Sequence, residues 1–433
     1  MPPGLQRVDV LIVGAGAAGL MCAFEAGRRG LRVLLLDHGD RPGRKILISG
    51  GGRCNFTNTG TRAENFLSEN PHFARSALAR FTPADMVALV EKHGIRFHEK
   101  TLGQLFCDDS ARRVVTLLEA ECGEAGVDLR CGVQVLSVHQ ENGSPATDSP
   151  ADRKFSRFVI ETSVGSFACH SLVIATGGLS IPKMGATGFG YDIARQFGHC
   201  IVEPRPALVP LVLAPDELAQ WSDLAGVSAE VVAGVEPRQP VPVKRVGTPE
   251  RKTSAGSSKK PINTRFREKL LITHRGLSGP AILQISSFWQ PGAAIQIDLA
   301  PGLDVVSSLK QASAGRDRNA LLAAVKRVLP TRFAERWVEL WLDGKTDWTN
   351  HGLDKAEATL HNWRLQPAGT EGFLKAEVTV GGVDTRELDA RSMTSLRVPG
   401  LHFIGEVVDV TGWLGGYNFQ WAWASAAACG RNL

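Results

Sequence analysis

The chain has 433 residues, too many for one ordinary hydrophobic core, and its 43% hydrophobic and 21% charged content is that of a folded globular protein. The formal charge of +5 is small for this length and gives no ground for a nucleic-acid or membrane partner. Eight cysteines form no CxxC pair and none lies near a histidine at zinc-ligand spacing, which excludes a dithiol reductase of the usual kind and leaves no metal site to name.

The run Val10–Phe24 is uncharged but too short to span a membrane, and it lacks a basic leader, so we read no targeting segment in it. Residues 8–13 are a short apolar run that suits a strand buried on both faces of a parallel sheet. A helix is expected from about Ala17 to Arg29, stopped by Gly30, and a second strand over 31–36 ends at Asp37. Residues 39–60 carry six glycines together with Arg41, Arg44, Lys45 and Arg53. Thr82 and Pro83 have the N-cap and first-position chemistry of a helix start. A helix is expected over about 111–123, and strands over 134–139, 157–162 and 171–176, with a polar loop at 141–156.

Beyond Pro204 the texture changes. Prolines cluster at 204, 206, 210 and 215, residues 244–261 read as a basic, exposed loop, and helices are expected near 316–329 and 331–342. After about Phe373 the glycine-rich, buried-strand texture returns. The expected organisation is therefore a Rossmann-like α/β domain in two pieces, 1–204 and 373–433, split by an inserted domain of mixed β and helical structure at 205–372.

The sharpest chemical signal is Gly14-x-Gly16-x-x-Gly19, placed between a strand and a helix. Gly14 permits the tight turn, Gly16 lets a pyrophosphate approach the backbone, and Gly19 lets the helix pack on the strand. The free N–H groups of the helix start, Ala17 included, face the phosphates, and Asp37 can accept from ribose hydroxyls. Near the C-terminus a strand ends in Gly405-Glu406, followed by a glycine-rich turn and a helix from about Asn418. A carboxylate there can hold a ribityl hydroxyl, and the helix start can stabilise the negative charge of a reduced flavin.

Several longer segments carry a resemblance: 43–55 (GRKILISGGGRCN), 175–182 (ATGGLSIP), 187–191 (TGFGY), 273–280 (THRGLSGP), 376–383 (AEVTVGGV), 405–412 (GEVVDVTG) and 415–420 (GYNFQ after a glycine). In this order they resemble the bacterial FAD-dependent oxidoreductases of the aminoacetone-oxidase type, the BaiN/YhiN-like flavoproteins. The resemblance implies FAD as cofactor and an insert that covers the flavin. By position it implies that Gly14, Gly16, Gly19 and Asp37 hold the ADP half and that Arg44 and Lys45 approach the cofactor. It places Val135 on the strand that meets adenine and Thr176 and Gly177 in the return turn. Glu406, Asp409, Gly416, Asn418 and Phe419 would line the ribityl and ring end.

Two residues are candidates for catalysis, each beside a plainer role. Cys54 is a redox thiol or a small packing residue, and His274 is an acid/base or a turn hydrogen-bonder. Ser278 reads as a helix N-cap, and Trp413, Trp421 and Trp423 as core. The expected activity is hydride transfer between a small organic substrate, such as the amino ketone aminoacetone, and FAD, with reoxidation by oxygen or another acceptor. The alternatives are NAD(P)H-dependent reduction of enone or steroid-like substrates, with NAD(P)H as a transient donor, and a flavoprotein acting on RNA. The basic loop lacks interleaved aromatics, so the expectation is a cytoplasmic protein with a small-molecule substrate, no membrane and no nucleic acid.

Overall fold

A computed structural model describes residues 5–141, 157–236, 245–246, 264–311, 315–342 and 347–433; the polar loop and nearly all of the basic loop anticipated above lie outside these residues. The chain divides into two units. The first is built from the stretches up to Arg205 and from Val378 onward, with 245–246, and the second from residues 206–236 and 264–377.

In the first unit β1 (Gln6–Val13) leads into α1 (Ala17–Gly27) and β2 (Val33–Leu36). The short α2 (Arg44–Ile48) and β3 (Asn55–Asn58) follow. Next come α3 (Pro83–Lys92), the hairpin β4 (Phe97–Glu99) and β5 (Gln104–Cys107), and α4 (Arg112–Glu124). Then β6 (Asp128–Arg130), β7 (Val135–Gln140), β8 (Phe158–Thr162) and β9 (Gly165–Ile174) complete the first piece of the sheet. The last piece adds β10 (Leu401–Phe403) and α5 (Tyr417–Gly430).

The sheet runs β6-β2-β1-β9-β8-β7, with β10 on β9. Pairing is parallel among β6, β2, β1, β9 and β10, and antiparallel from β9 through β8 to β7. This is a Rossmann-like architecture, and the buried run Val10–Val13 lies in its middle, in register with Val33–Leu36 and Ser171–Ile174. α1 and α5 pack together because Gly430 has no side chain: a Cβ there would lie 2.7 Å from Glu25 Cβ and 2.8 Å from Cys22 O. Arg431 pairs with Glu25 at 2.8 Å, so the first and last stretches of the chain close one core.

The second unit centres on a seven-stranded sheet whose middle strands are Ile295–Asp298, Ser228–Val235, Arg265–Thr273 and Gly276–Ser278, all antiparallel. Ala229, Val231 and Ala233 are buried at alternate positions, the period-two pattern of a sheet covered on one face. Trp221, Phe333 and Trp363 form a close cluster, with ring centroids 4.8–5.8 Å apart.

Thr82 caps α3 through Asp85 as its chemistry indicates. Ser278 does not cap the helix Pro280–Ser286, however; it ends a strand, and Gly279 at φ +86° takes the cap. A Cβ at 279 would sit 2.7 Å from Lys269 O, so only glycine turns this corner. Trp421 and Trp423 are core, as expected, and each indole N–H has a carbonyl partner. Trp423 is wholly buried and donates to Phe56 O at 2.8 Å. Replacing it with Ala should cost about 4 kcal/mol through the cavity and the unpaired carbonyl. Urea unfolding followed by flavin-independent circular dichroism reads this, and a loss below about 1 kcal/mol would refute the packing described.

Candidate functional site

The site begins where β1 ends. Gly14 takes φ +107°, and a Cβ there would lie 2.5 Å from Ala175 O at the end of β9. A Cβ at Gly19 would lie 1.8 Å from Gly14 O, so α1 rides directly on the turn. A Cβ at Gly16, by contrast, meets nothing within 4 Å, and Gly16 caps α1 without a side-chain bond. Two glycines are there for packing, while Gly16 and Ala17 present open backbone at a helix start, where an anion is favoured.

Asp37 follows β2. Its two oxygens accept from Ala15 N and Gly39 N, each at 2.7 Å, which ties the second strand's end to the glycine turn. Gly132 N and Val133 N reach the same corner, donating to Gly39 O and Asp37 O. Val135 itself is paired with Thr162 inside the sheet, so the backbone brought to Asp37 belongs to the two residues named, a crossing that the sequence does not mark. Arg44 lies at this corner as well: a Cβ on Gly39 would come within 3.1 Å of its Cδ.

Lys45 points the other way. α2 is anchored to the glycine turn by Gly43 N donating to Ala15 O at 2.9 Å. Lys45 Nζ then reaches Glu406 Oε2 at 2.7 Å and Ser180 Oγ at 2.5 Å. Glu406 Oε1 accepts from Thr379 N at 2.9 Å and from Ser180 Oγ at 3.1 Å. Residues 45, 180, 379 and 406 thus meet at one carboxylate, beside the return turn where Gly177 (φ +75°) and Gly178 leave it room. Thr176 Oγ1 and Tyr191 Oη are buried with no hydrogen-bond partner among the described residues. Burial, with the nearby Glu406 and Asp409 charges, pushes the Tyr191 phenol up.

Other expected ring-side residues serve the protein's own backbone. Asn418 Oδ1 accepts from Gly412 N at 2.9 Å and its Nδ2 donates to Gly412 O at 2.8 Å, closing the turn before α5. Gly416 (φ +95°) caps α5, where a Cβ would lie 2.4 Å from Thr57 O. Phe419 stacks on Trp423 at 5.7 Å. Asp409 Oδ2 accepts from Glu69 N at 2.8 Å; burial, reinforced by the Glu69 and Asp384 charges, raises its carboxyl from 3.8 to about 7.

Cys54 is fully buried at φ +52°, and burial drives its thiol far above the usual range. A neutral, inaccessible thiol is no nucleophile, so this residue packs beneath the glycine loop. His274 lies in the second unit, exposed on the turn between Arg265–Thr273 and Gly276–Ser278, which Thr273 Oγ1 holds by accepting from Arg275 N and Gly276 N.

Comparison with known proteins places this geometry. The family model described as HI0933-like protein Rossmann domain matches residues 8–432. An Escherichia coli protein named ribosomal RNA dihydrouridine synthase is 47% identical over 432 residues, covering 99% of this chain and 98% of that protein. A Haemophilus influenzae protein of the same name is 42% identical over 433 residues, 99% of each. A Clostridium scindens protein named 3-dehydro-bile acid delta(4,6)-reductase is 28% identical over 97% of each. The chain is a flavin-dependent oxidoreductase whose cofactor is FAD. The open Gly16 cradle and the unpartnered Thr176 hydroxyl are features of the fold that such a dinucleotide fits. The expectation that no nucleic acid is involved is overturned, because two relatives spanning almost the whole chain are named for an activity on ribosomal RNA. No helix of the described residues is long and apolar enough to cross a membrane.

Substituting Gly19→Val should abolish flavin retention, since the side chain has no space above Gly14 O; a variant purified with its full yellow absorbance would contradict this. Asp409 gives a pH signature. Folded protein keeps its proton up to about pH 7, whereas unfolded chain releases it near 3.8, so the folded state binds more protons in between. Its contribution to stability should fall as pH rises from about 4 to about 7, by a few kcal/mol, and Asp409→Asn should remove that fall. Urea midpoints at pH 5 and pH 8 test it, and identical pH slopes in both proteins would be the failing result.

Proposed function

The chain belongs to the HI0933-like Rossmann family, and from that premise we propose that it reduces a uridine of ribosomal RNA to dihydrouridine. The observation that carries the reading is the pair of relatives with that name, 47% and 42% identical and collinear from end to end. The bile-acid reductase relative supports it chemically. The name describes saturation of carbon–carbon double bonds in a keto compound, and the C5–C6 bond of uracil is likewise conjugated to a carbonyl. The amino-ketone reading has the resemblance of motifs behind it.

Saturating that bond takes an electron pair and two protons. Bound FAD supplies the two-electron carrier, charged by a reduced donor such as NAD(P)H. In this proposal Gly14, Gly16, Ala17 and Gly19 form the pyrophosphate seat, Asp37 and Arg44 hold the adenosine side, and Glu406 holds a ribityl hydroxyl. Lys45 neutralises Glu406 and fixes its orientation through Ser180. The protein's remaining task is to deliver a proton to the pyrimidine. His274 is our candidate on the resemblance of its segment, residues 273–280.

FAD-loaded protein supplied with NADPH or NADH and ribosomal RNA lacking the modification should yield dihydrouridine, seen by mass spectrometry as a gain of two hydrogens on one nucleotide. His274→Gln should lower the yield rate roughly 100-fold with the flavin spectrum intact. No dihydrouridine under any donor, alongside turnover of an amino ketone, would sink the proposal.

A further inference from the structure

The glycine-rich loop after α2 and the β4–β5 hairpin border an open depression of about 400 Å³ in the first unit, lined by Gly50, Gly51, Arg53, His98, Lys100 and Phe106. That volume suits one ligand group of nucleotide size. None of these residues has a role in the flavin network described above.

The lining is unusual in its chemistry. Arg53 is exposed and has no side-chain partner among the described residues. Lys100 Nζ sits 5.4 Å from the Phe106 centroid, a cation–π contact, and pairs with no carboxylate among those residues. The His98 ring lies nearly parallel to Phe106, at 6.3 Å and 18°, and its side chain stays 44% exposed. Asp108 orients it from the edge, with Nδ1 and Oδ1 2.8 Å apart. Of the other nearby carboxylates, Glu99 accepts from Gly103 N at 3.0 Å and Asp109 lies 3.9 Å from Arg113. Gly51 holds φ +67°, and a Cβ there meets nothing within 4 Å, so the loop offers bare backbone to the pocket.

Two cations free of counter-ions flank a backed, half-exposed ring. That is the combination single-stranded nucleic acid requires: charge for the phosphates and a planar surface for a base. An acidic peptide would use the cations and leave the ring idle. We propose that this pocket holds a single-stranded nucleotide of the RNA substrate, with Arg53 and Lys100 on its phosphates and its base stacked on His98. The proposal rests on the RNA reading above and assigns it a docking site.

The test uses FAD-loaded full-length protein and ribosomal RNA lacking dihydrouridine, with binding measured by fluorescence anisotropy across a salt series. Arg53→Ala and Lys100→Ala should each reduce the salt slope by about one, and together weaken binding at least tenfold. His98→Ala should weaken binding several-fold with the slope unchanged, because stacking releases no counterions. Arg267→Ala, which removes one exposed charge from the second unit, should bind as wild type does. All variants should keep the wild-type flavin spectrum. Wild-type affinity in the Arg53/Lys100 double variant overturns the site, as does flavin loss that tracks the loss of RNA. Competition by polyglutamate that single-stranded RNA cannot match would give the pocket to a protein partner and also overturn it. Dihydrouridine formation is assayed in parallel. Its presence in the wild type with unaltered affinity in the variants sinks this site alone. Its absence, with the predicted affinity losses, upholds the site and sinks the reaction.

Discussion

One close contact organises the first unit: the backbone of Gly19 lying against the carbonyl of Gly14, with no room for a side chain between them. It seats the start of α1 at the ends of β1 and β9. An uncapped helix start and the return turn at Thr176 therefore open on the same place. Asp37 fastens the second strand to that turn through Ala15, and Gly43 fastens α2 to it through the same residue. Loss of this contact would displace each of these residues at once, which is why the glycine spacing matters more than any single polar group.

From that anchor the chain builds an electrostatic pole at Glu406. A carboxylate only partly exposed is costly unless its oxygens are satisfied. Here they are met by Lys45, Ser180 and the backbone of Thr379. The arrangement leaves a carboxylate fixed in direction, with its charge balanced, beside glycines that keep the space next to it clear. A second buried carboxylate, Asp409, is treated differently. It is bound to Glu69 N in surroundings that favour its neutral form, and so it stabilises loop packing instead of presenting charge.

Much of this was legible in sequence, because local rules wrote it. The apolar runs gave the parallel strands, the glycine spacing gave the dinucleotide turn, and Thr82 with Pro83 gave a helix start. Where the reading missed, a distant residue had decided the outcome. Ser278 looked like a cap until the approach of Lys269 O made the next residue, Gly279, the only one able to turn the corner. Asn418 is expected to line the flavin, and its side-chain amide also closes the turn at Gly412, a bond no local pattern announces. For Cys54 the sequence leaves a redox thiol and a packing residue both open, and its burial decides for packing. The judgement against nucleic acid weighed net charge and one basic loop. It did not see that Arg53 and Lys100, 47 positions apart in the chain, share a pocket with the His98 ring.

The sequence alone therefore settled the fold class and the tight glycine turn between the first strand and helix, because strand burial, helix starts and glycine conformations are fixed by a residue and its near neighbours. Which polar groups remain available for a ligand was settled only in three dimensions. Hydrogen-bond partners, burial and charge pairing come from residues hundreds of positions apart, as with Lys45 and Glu406, and no local pattern records them.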